Sequence, residues 1–420
     1  ILAVSGLHVG ILFLLFSLLF GFLRKQKTST YLFVIVSILL LWSFAFITGL
    51  SPSVLRASTM FTILIIGDNI ERKVSIYNSL AASALVLLLL NPNNLFEVGF
   101  QLSYAAVFGI VYLQPKFARL WPVKNKILKV FWNLLCVSVA AQIATFPLSA
   151  YYFNQFPVYF GLTNLVVIPA AMALIPLGIA LLIFSKVPLL SLVITFCIKW
   201  IIKLVYALLQ WIESLPYSVL DFSIHPTELL FLISCLFFIL IFIKNKRALS
   251  LKLALFSFLF FSISILVTNY RQLKSSEIIV YNSAANRTVQ LIHGKTNYVI
   301  SEQEIGFGDF LSRQIQDVIR KKRLAAPIFI DSNEIFEDDV LFLNEGILYF
   351  DGKTILLQNK QKMQVPKISP HYLITPNNLR LQKSNIKTTT KVISTGYTYA
   401  NNTNHEIHSL KSAGAFCERW

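Results

Sequence analysis

The residues able to do chemistry are few, and they sit inside long apolar runs. Ser5 and His8 lie three apart in Ser5-Gly6-Leu7-His8-Val9-Gly10, so a helix presents them on one face. A histidine in hydrocarbon must find a partner or a wet cavity. Two readings are open: the glycines let two helices approach closely, with His8 sealing the contact, or the pair lines a polar path. Arg56 falls in Gly49-Leu50-Ser51-Pro52-Ser53-Val54-Leu55-Arg56-Ala57, where Ser51 or Ser53 can cap a helix starting near Pro52. There its guanidinium either snorkels to headgroups or faces a pore, where its fork of donors suits phosphate.

Further along, Glu97 and Gln101 are one helical turn apart, and Ser138, Gln142 and Thr145 share a face of another helix. Pro147 follows, then the aromatic stretch Tyr151-Tyr152-Phe153-Asn154-Gln155-Phe156-Pro157, and then Asn164 with Pro169. Each group alone can join two helices. Polar stripes on five segments together favour a polar interior. The chemistry this suggests is passage of a charged solute, with Ser5, His8, Arg56, Glu97, Gln101, Gln142, Asn154 and Asn164 as candidate path residues. No catalytic or metal-binding residue is assigned. The only acid within a span is Glu97, with Glu228 near a span start, so the paired carboxylates of a membrane hydrolase are missing. No Gly-rich loop ending in Lys-Ser/Thr occurs, so no nucleotide or other cofactor is expected and any driving energy must come from outside. Cys136, Cys197, Cys235 and Cys417 have neither redox nor metal spacing and read as small hydrophobic side chains.

The elements that hold these residues are membrane spans. Of 420 residues, 55% are hydrophobic and 14% charged, against about 25% charged in ordinary soluble domains. A span needs about 20 mostly apolar residues. Ten segments qualify: 2–23, 30–50, 54–67, 74–90, 96–114, 130–147, 158–184, 187–212, 226–243 and 253–268. The third is short. The seventh, with Pro169 and Pro176, is expected to be kinked or broken. The eighth carries Lys199 and Lys203 on one face and either lies in the interface or turns that face inward. Ile1 already lies inside an apolar segment and is not Met, so the sequence reads as a fragment lacking an N-terminal part.

Charge orients the spans. Residues 1–276 hold 20 Lys/Arg against 6 Asp/Glu, and residues 277–420 hold 17 against 14. Basic loops (Arg24–Lys27, Arg72-Lys73, Lys116–Lys129, Lys186, Lys244–Lys252) alternate with neutral or acidic ones. Basic loops face the cytoplasm, so ten spans leave the C-terminal region on the non-cytoplasmic side. The parity fails if the eighth segment only lies flat. From Glu277 the pattern becomes that of a water-soluble α/β domain. Ile278–Tyr281, Val289–Ile292, Tyr298–Ile300, Tyr372–Thr375 and Lys391–Ser394 read as strands, residues 308–324 as a helix, and Gly346–Gln358 as a hairpin turning at Asp351-Gly352. The expected organisation is a polytopic α-helical membrane region over 1–270, with nine or ten spans, and a soluble α/β domain over 277–420.

The ordered set Ser5–Gly10, Gly49–Arg56, Gly99-Phe100-Gln101-Leu102-Ser103, Asn154-Gln155-Phe156-Pro157 and Asn164–Pro169 resembles the ComEC competence family over about residues 1–270. That resemblance implies a bacterial inner-membrane channel passing single-stranded DNA during natural transformation. It would work among membrane lipid, DNA-receptor proteins and a cytoplasmic motor, and as a homodimer. The rivals are a secondary transporter of a small solute, for which no internal repeat is visible, and a membrane-bound nuclease. Many relatives carry a C-terminal metallo-β-lactamase fold whose His-x-His-x-Asp-His cluster holds metal. This sequence has no such cluster: after residue 277 its histidines are His293, His371, His405 and His408, of which only the last two are close. Lys411-Ser412-Ala413-Gly414-Ala415-Phe416 resembles the closing segment of such a domain. The expectation is a degenerate, non-catalytic relative.

Overall fold

A computed structural model describes residues 6–22, 27–69, 75–281, 288–301, 310–332, 334–344, 346–357, 370–375, 390–394, 407–410 and 415–420. The chain packs as two units, Ile1–Asp221 and Phe222–Trp420.

In the first unit the apolar runs become helices, because a helix satisfies its own backbone where no water can. They are α1 (Gly6–Phe20), α2 (Lys27–Ile47), α3 (Pro52–Asn69), α4 (Ile76–Leu90), α5 (Val98–Leu120), α6 (Lys126–Phe153), α7 (Phe160–Ile183) and α8 (Pro188–Glu213). Each falls on one of the first eight expected segments. Their ends follow local chemistry. Asn125 caps α6 by accepting from the Ile127 amide at 2.9 Å. Pro188 opens α8 at a position with no helical donor to lose. Ser51 opens α3 through its backbone carbonyl, which accepts from the Leu55 amide at 2.9 Å. Its hydroxyl is buried without a partner, so it does not serve as the expected side-chain cap.

Of the two outcomes expected for the seventh segment, a break does not occur: α7 runs on through Pro169 and Pro176, because each proline deletes one donor and the flanking turns keep theirs. The structure also adds a two-stranded antiparallel ribbon, β1 (Gln155–Pro157) with β2 (Val219–Asp221), linking the α6–α7 connection to the segment after α8.

Close packing rests on missing side chains. A Cβ on Gly6 would lie 3.3 Å from the Ala57 Cβ, and one on Gly10 3.4 Å from the Phe61 ring, so the α1 glycines seat α1 on α3. The α5–α6 contact is tighter: a Cβ on Gly109 would come within 2.3 Å of the Ala144 Cβ and 2.7 Å of the Ala140 carbonyl.

The second unit begins with two helices, α9 (Pro226–Asn245) and α10 (Ala248–Leu273). Among the described residues six helices are long and apolar enough to cross a membrane: α2 from Thr30, α6, α7, α8, α9 and α10. α1, α4 and Pro52–Gly67 of α3 are shorter apolar helices.

Two sheets follow. One runs β14 (Phe416–Arg419), β3 (Ser276–Val280), β4 (Thr288–His293), β5 (Thr296–Ser301), β6 (Ile328–Asp331). The other runs β13 (Ile407–Ser409), β12 (Lys391–Ser394), β11 (Tyr372–Thr375), β10 (Lys353–Leu357), β9 (Ile347–Phe350), β8 (Leu341–Asn344), β7 (Phe336–Glu337). β10 to β13 are parallel and β7 to β10 antiparallel. The sheets share one core, with Ile278, Leu291, Tyr298 and Ile300 against Leu343, Phe350, Ile355 and Ile374. The amphipathic α11 (Phe310–Lys322) covers the other face of the five-stranded sheet through Leu311, Ile315 and Val318. All the expected strands and the helix form, and Asp351 and Gly352 both take positive φ (43° and 74°), the geometry of a two-residue hairpin turn. β6, β7, β8, β13 and β14 were not expected.

Overpacking a helix contact costs about 1–3 kcal/mol. Gly109→Ala should therefore lower the melting temperature of the purified chain in detergent. Gly178→Ala in α7, where a Cβ meets nothing within 4 Å, should leave it unchanged. Equal effects of the two would remove the case for close contact at Gly109.

Candidate functional site

α3, α4 and α5 meet around one buried cation. Arg56, one turn into α3, is 7% exposed. Its terminal guanidinium nitrogens both lie 3.5 Å from where a Cβ on Gly99 would stand, with Cζ at 3.9 Å, so the fork points end-on at the bare backbone of the first turn of α5. Tyr104 and Glu97 are its electrostatic neighbours. Neither forms an ion pair or hydrogen bond with it among the described residues, and the buried Nε has no partner. The surrounding α3–α4 wall is polar but poorly satisfied: Ser58 and Ser79 are buried with unpartnered hydroxyls. Ser83 shares a hydrogen bond of 3.1 Å with the Tyr104 hydroxyl.

Beside this cation lies a second polar link. The Tyr152 hydroxyl, at the end of α6, donates to Gln101 Oε1 at 2.9 Å. Gln101 Nε2 donates in turn to the Leu95 carbonyl at 2.9 Å, fixing the short 3-10 turn Pro92–Phe96 that leads into α5. Glu97 is the residue before α5, exposed, with its carboxylate near the positive end of that helix. Asn154 closes α6 in the left-handed region at φ 54°, a conformation asparagine tolerates.

Of the candidate residues, the structure thus gathers Arg56, Glu97 and Gln101 about the start of α5. Asn154 follows two residues after Tyr152. His8 is half-buried on α1, Gln142 on α6 and Asn164 on α7. Ser5 lies outside the described residues. Tyr104, Ser83 and Tyr152 are the site residues that sequence reasoning did not single out as path residues. Tyr104 and Ser83 pair across 21 positions and Tyr152 with Gln101 across 51, separations at which no local pattern exists.

The metal site implied for the C-terminal domain was tested against its histidines. Among the described residues no three His, Cys, Asp or Glu side chains gather as a ligand set. His293 hydrogen-bonds Ser276 Oγ at 2.8 Å, His371 Nδ1 accepts from the Thr354 amide at 3.0 Å, and His408 packs edge-on to Phe416. The three are committed to separate places, and His405 lies outside the described residues. These residues do not fit the metal site.

Six helices long and apolar enough to cross a membrane among the described residues make this a multi-pass membrane protein. The chain belongs to the competence protein family, whose model matches residues 1–247. It is 32% identical over 260 residues to ComE operon protein 3 of Bacillus subtilis (strain 168), covering 60% of this chain and 31% of that protein. The chain therefore spans about a third of the length of the curated relative it matches. No solved structure matches it significantly.

Tyr152→Phe removes one partly buried hydrogen bond, worth about 1 kcal/mol. It should lower the melting temperature modestly and speed proteolysis in the 91–97 loop. An unchanged cleavage rate would show that the Tyr152–Gln101 link does not hold that loop.

Proposed function

We propose that this chain forms the channel part of an inner-membrane protein that takes up single-stranded DNA during natural transformation. The observation that carries the reading is Arg56: a permanent cation, buried among membrane helices inside the family-matched region, with no carboxylate bound to it. Such a charge is costly in a bundle unless an anion visits it. A passing phosphodiester would supply that anion in bidentate geometry. Gly99 keeps the approach open, and Tyr104 and Gln101 offer neutral hydrogen bonds that bind no base in particular. Tyr151 and the exposed Phe153 sit at one end of α6, where rings can stack on bases of any identity. Lys and Arg along the route offset phosphate charge generically.

In this reading residues 1–270 are the channel region and 277–420 a water-soluble domain on the non-cytoplasmic side, where it meets DNA before import. Two sheets around a common core, with α11 on one outer face, support a relative of the metallo-β-lactamase fold. The scattered histidines support a non-catalytic one. The partners are single-stranded DNA, lipid, a DNA receptor, an external motor and a second copy of the chain.

Arg56→Ala, expressed within the intact protein, should lower uptake of labelled DNA about tenfold or more, the effect of losing a charge-assisted contact. Protein level and membrane insertion should stay normal, and Arg56→Lys should fall between. Normal uptake by a well-inserted Arg56→Ala protein would end the assignment.

Orientation has its own test. Asp351 accepts hydrogen bonds from Ser276 and Trp420, so the exposed Asp339 is the better reporter. In a cysteine-free background, Asp339→Cys should react with a membrane-impermeant thiol reagent before lysis. Labelling only after lysis would put the domain in the cytoplasm.

A further inference from the structure

The second unit holds a cavity of about 540 Å³ where the α9–α10 hairpin gives way to the β-rich region. α9 begins at Pro226 and α10 ends at Leu273, so the free ends of both helices lie at one end of their antiparallel pair. His225 and the last turns of α10, at Thr268, Asn269 and Gln272, form one wall. That places the cavity at the height where a span leaves hydrocarbon for headgroups. Tyr270, exposed on the same turn, carries the Lys274 ammonium 4.7 Å from its ring, an arrangement suited to that boundary.

The opposite walls are cationic. Lys295, Lys321, Lys322, Arg323 and Arg419 line the cavity, with Asp317 as the one acid among its lining residues. Two of the cations are answered from behind. Lys322 pairs with the buried Glu277. Arg323 pairs with Glu228 at 3.0 Å and donates to Ser223 and Asn269. Glu228 is fully buried and also accepts from the His225 amide at 3.1 Å, so this wall is rigidly built. Arg419 spends one nitrogen on the Arg271 carbonyl at 3.0 Å. Lys295 and Lys321 have no side-chain partner among the described residues. The cavity thus presents unanswered positive charge beside the neutral amides of Asn269 and Gln272, the latter already donating to the Gly294 carbonyl at 3.1 Å.

Below it, α10 exposes Leu266, Leu259 and Phe256. A ligand with a phosphate head and apolar tails matches this succession, whereas a bare phosphate leaves most of the volume empty. Basic pockets at span ends are the form such headgroup sites take.

We propose that this cavity binds the phosphodiester headgroup of an anionic membrane phospholipid, with Lys295, Lys321 and Arg419 as its charge partners and the acyl chains along α10. The inference needs only a membrane protein, not DNA passage.

The full chain, reconstituted in nanodiscs mixing phosphatidylglycerol with phosphatidylcholine, tests it by native mass spectrometry of retained lipid. Phosphatidylglycerol should be kept in preference to phosphatidylcholine. Lys295→Gln with Lys321→Gln should weaken that preference about thirtyfold, since each surface cation contributes about one kcal/mol to anionic-lipid binding. Lys295→Arg with Lys321→Arg should restore it. Lys244→Gln with Lys246→Gln, at the other end of the hairpin, should leave it intact. Equal retention by the Gln double variant, or no lipid preference in the unaltered chain, would overturn the proposal. Displacement of the lipid by equimolar inorganic phosphate would assign the site to free phosphate and would overturn the lipid reading too.

Discussion

Hydrocarbon offers a polypeptide no hydrogen bonds, and the architecture of residues 1–273 follows from that shortage. Backbone groups are satisfied within helices, so what distinguishes one helix from another is how its few polar side chains are met. Ser37, Thr59, Thr62, Ser138 and Thr145 settle the matter locally, each donating to a carbonyl one turn back. Glu228 settles it by an ion pair. Arg56 settles it with neither, and the helices around it are arranged to leave space for its fork rather than to neutralise it. A buried charge left unanswered costs folding stability.

Ten apolar segments and their order were legible as helices because length and hydropathy are local properties, although among the described residues only six of the helices reach the length and hydropathy of a span. The soluble strands around Ile278, Val289, Tyr298, Tyr372 and Lys391 were legible for a related reason: alternating or continuous apolar runs bounded by polar ones. The Asp351-Gly352 turn announced itself by composition. What escaped was set by distant partners. β7 is two residues long and exists only against β8. β1 and β2 contain Pro157 and Asp221, poor strand residues that pair across more than 60 positions. α7 was expected to kink or break at its two prolines, and the break is prevented by the 24-residue helix that carries them. In the site, Arg56 and the Glu97–Gln101 turn were visible as residue types in an apolar setting. That Gly99 forms the bed for Arg56, and Tyr152 the tether for Gln101, required the packing of α3, α5 and α6.

Two of the charged contacts of the second unit show different uses of the same chemistry. Arg323 and Glu228 are 95 positions apart and tie the end of α11 to the start of α9. The bond sits where one partner is fully buried, so breaking it by removing only Arg323 would strand a carboxylate, which is far costlier than losing an exposed pair. Lys353, by contrast, lies 3.7 Å over the Trp420 ring and bonds the Tyr372 hydroxyl at 3.1 Å. Burial lowers its pKa, and it joins the two sheets through an aromatic contact rather than a carboxylate.

The pairing of β14 with β3 sets the order of events during synthesis. Cys417 sits opposite Ile279, nearly 140 residues earlier, and Phe416 fills the core beside Tyr372. α1 to α10 will all have been synthesised while β3 still shows an open edge. Until Phe416–Arg419 emerges, the nascent domain carries unpaired strand hydrogen bonds that chaperones and proteases recognise. A chain stopped before Phe416 would therefore keep that edge unpaired and be marked for removal.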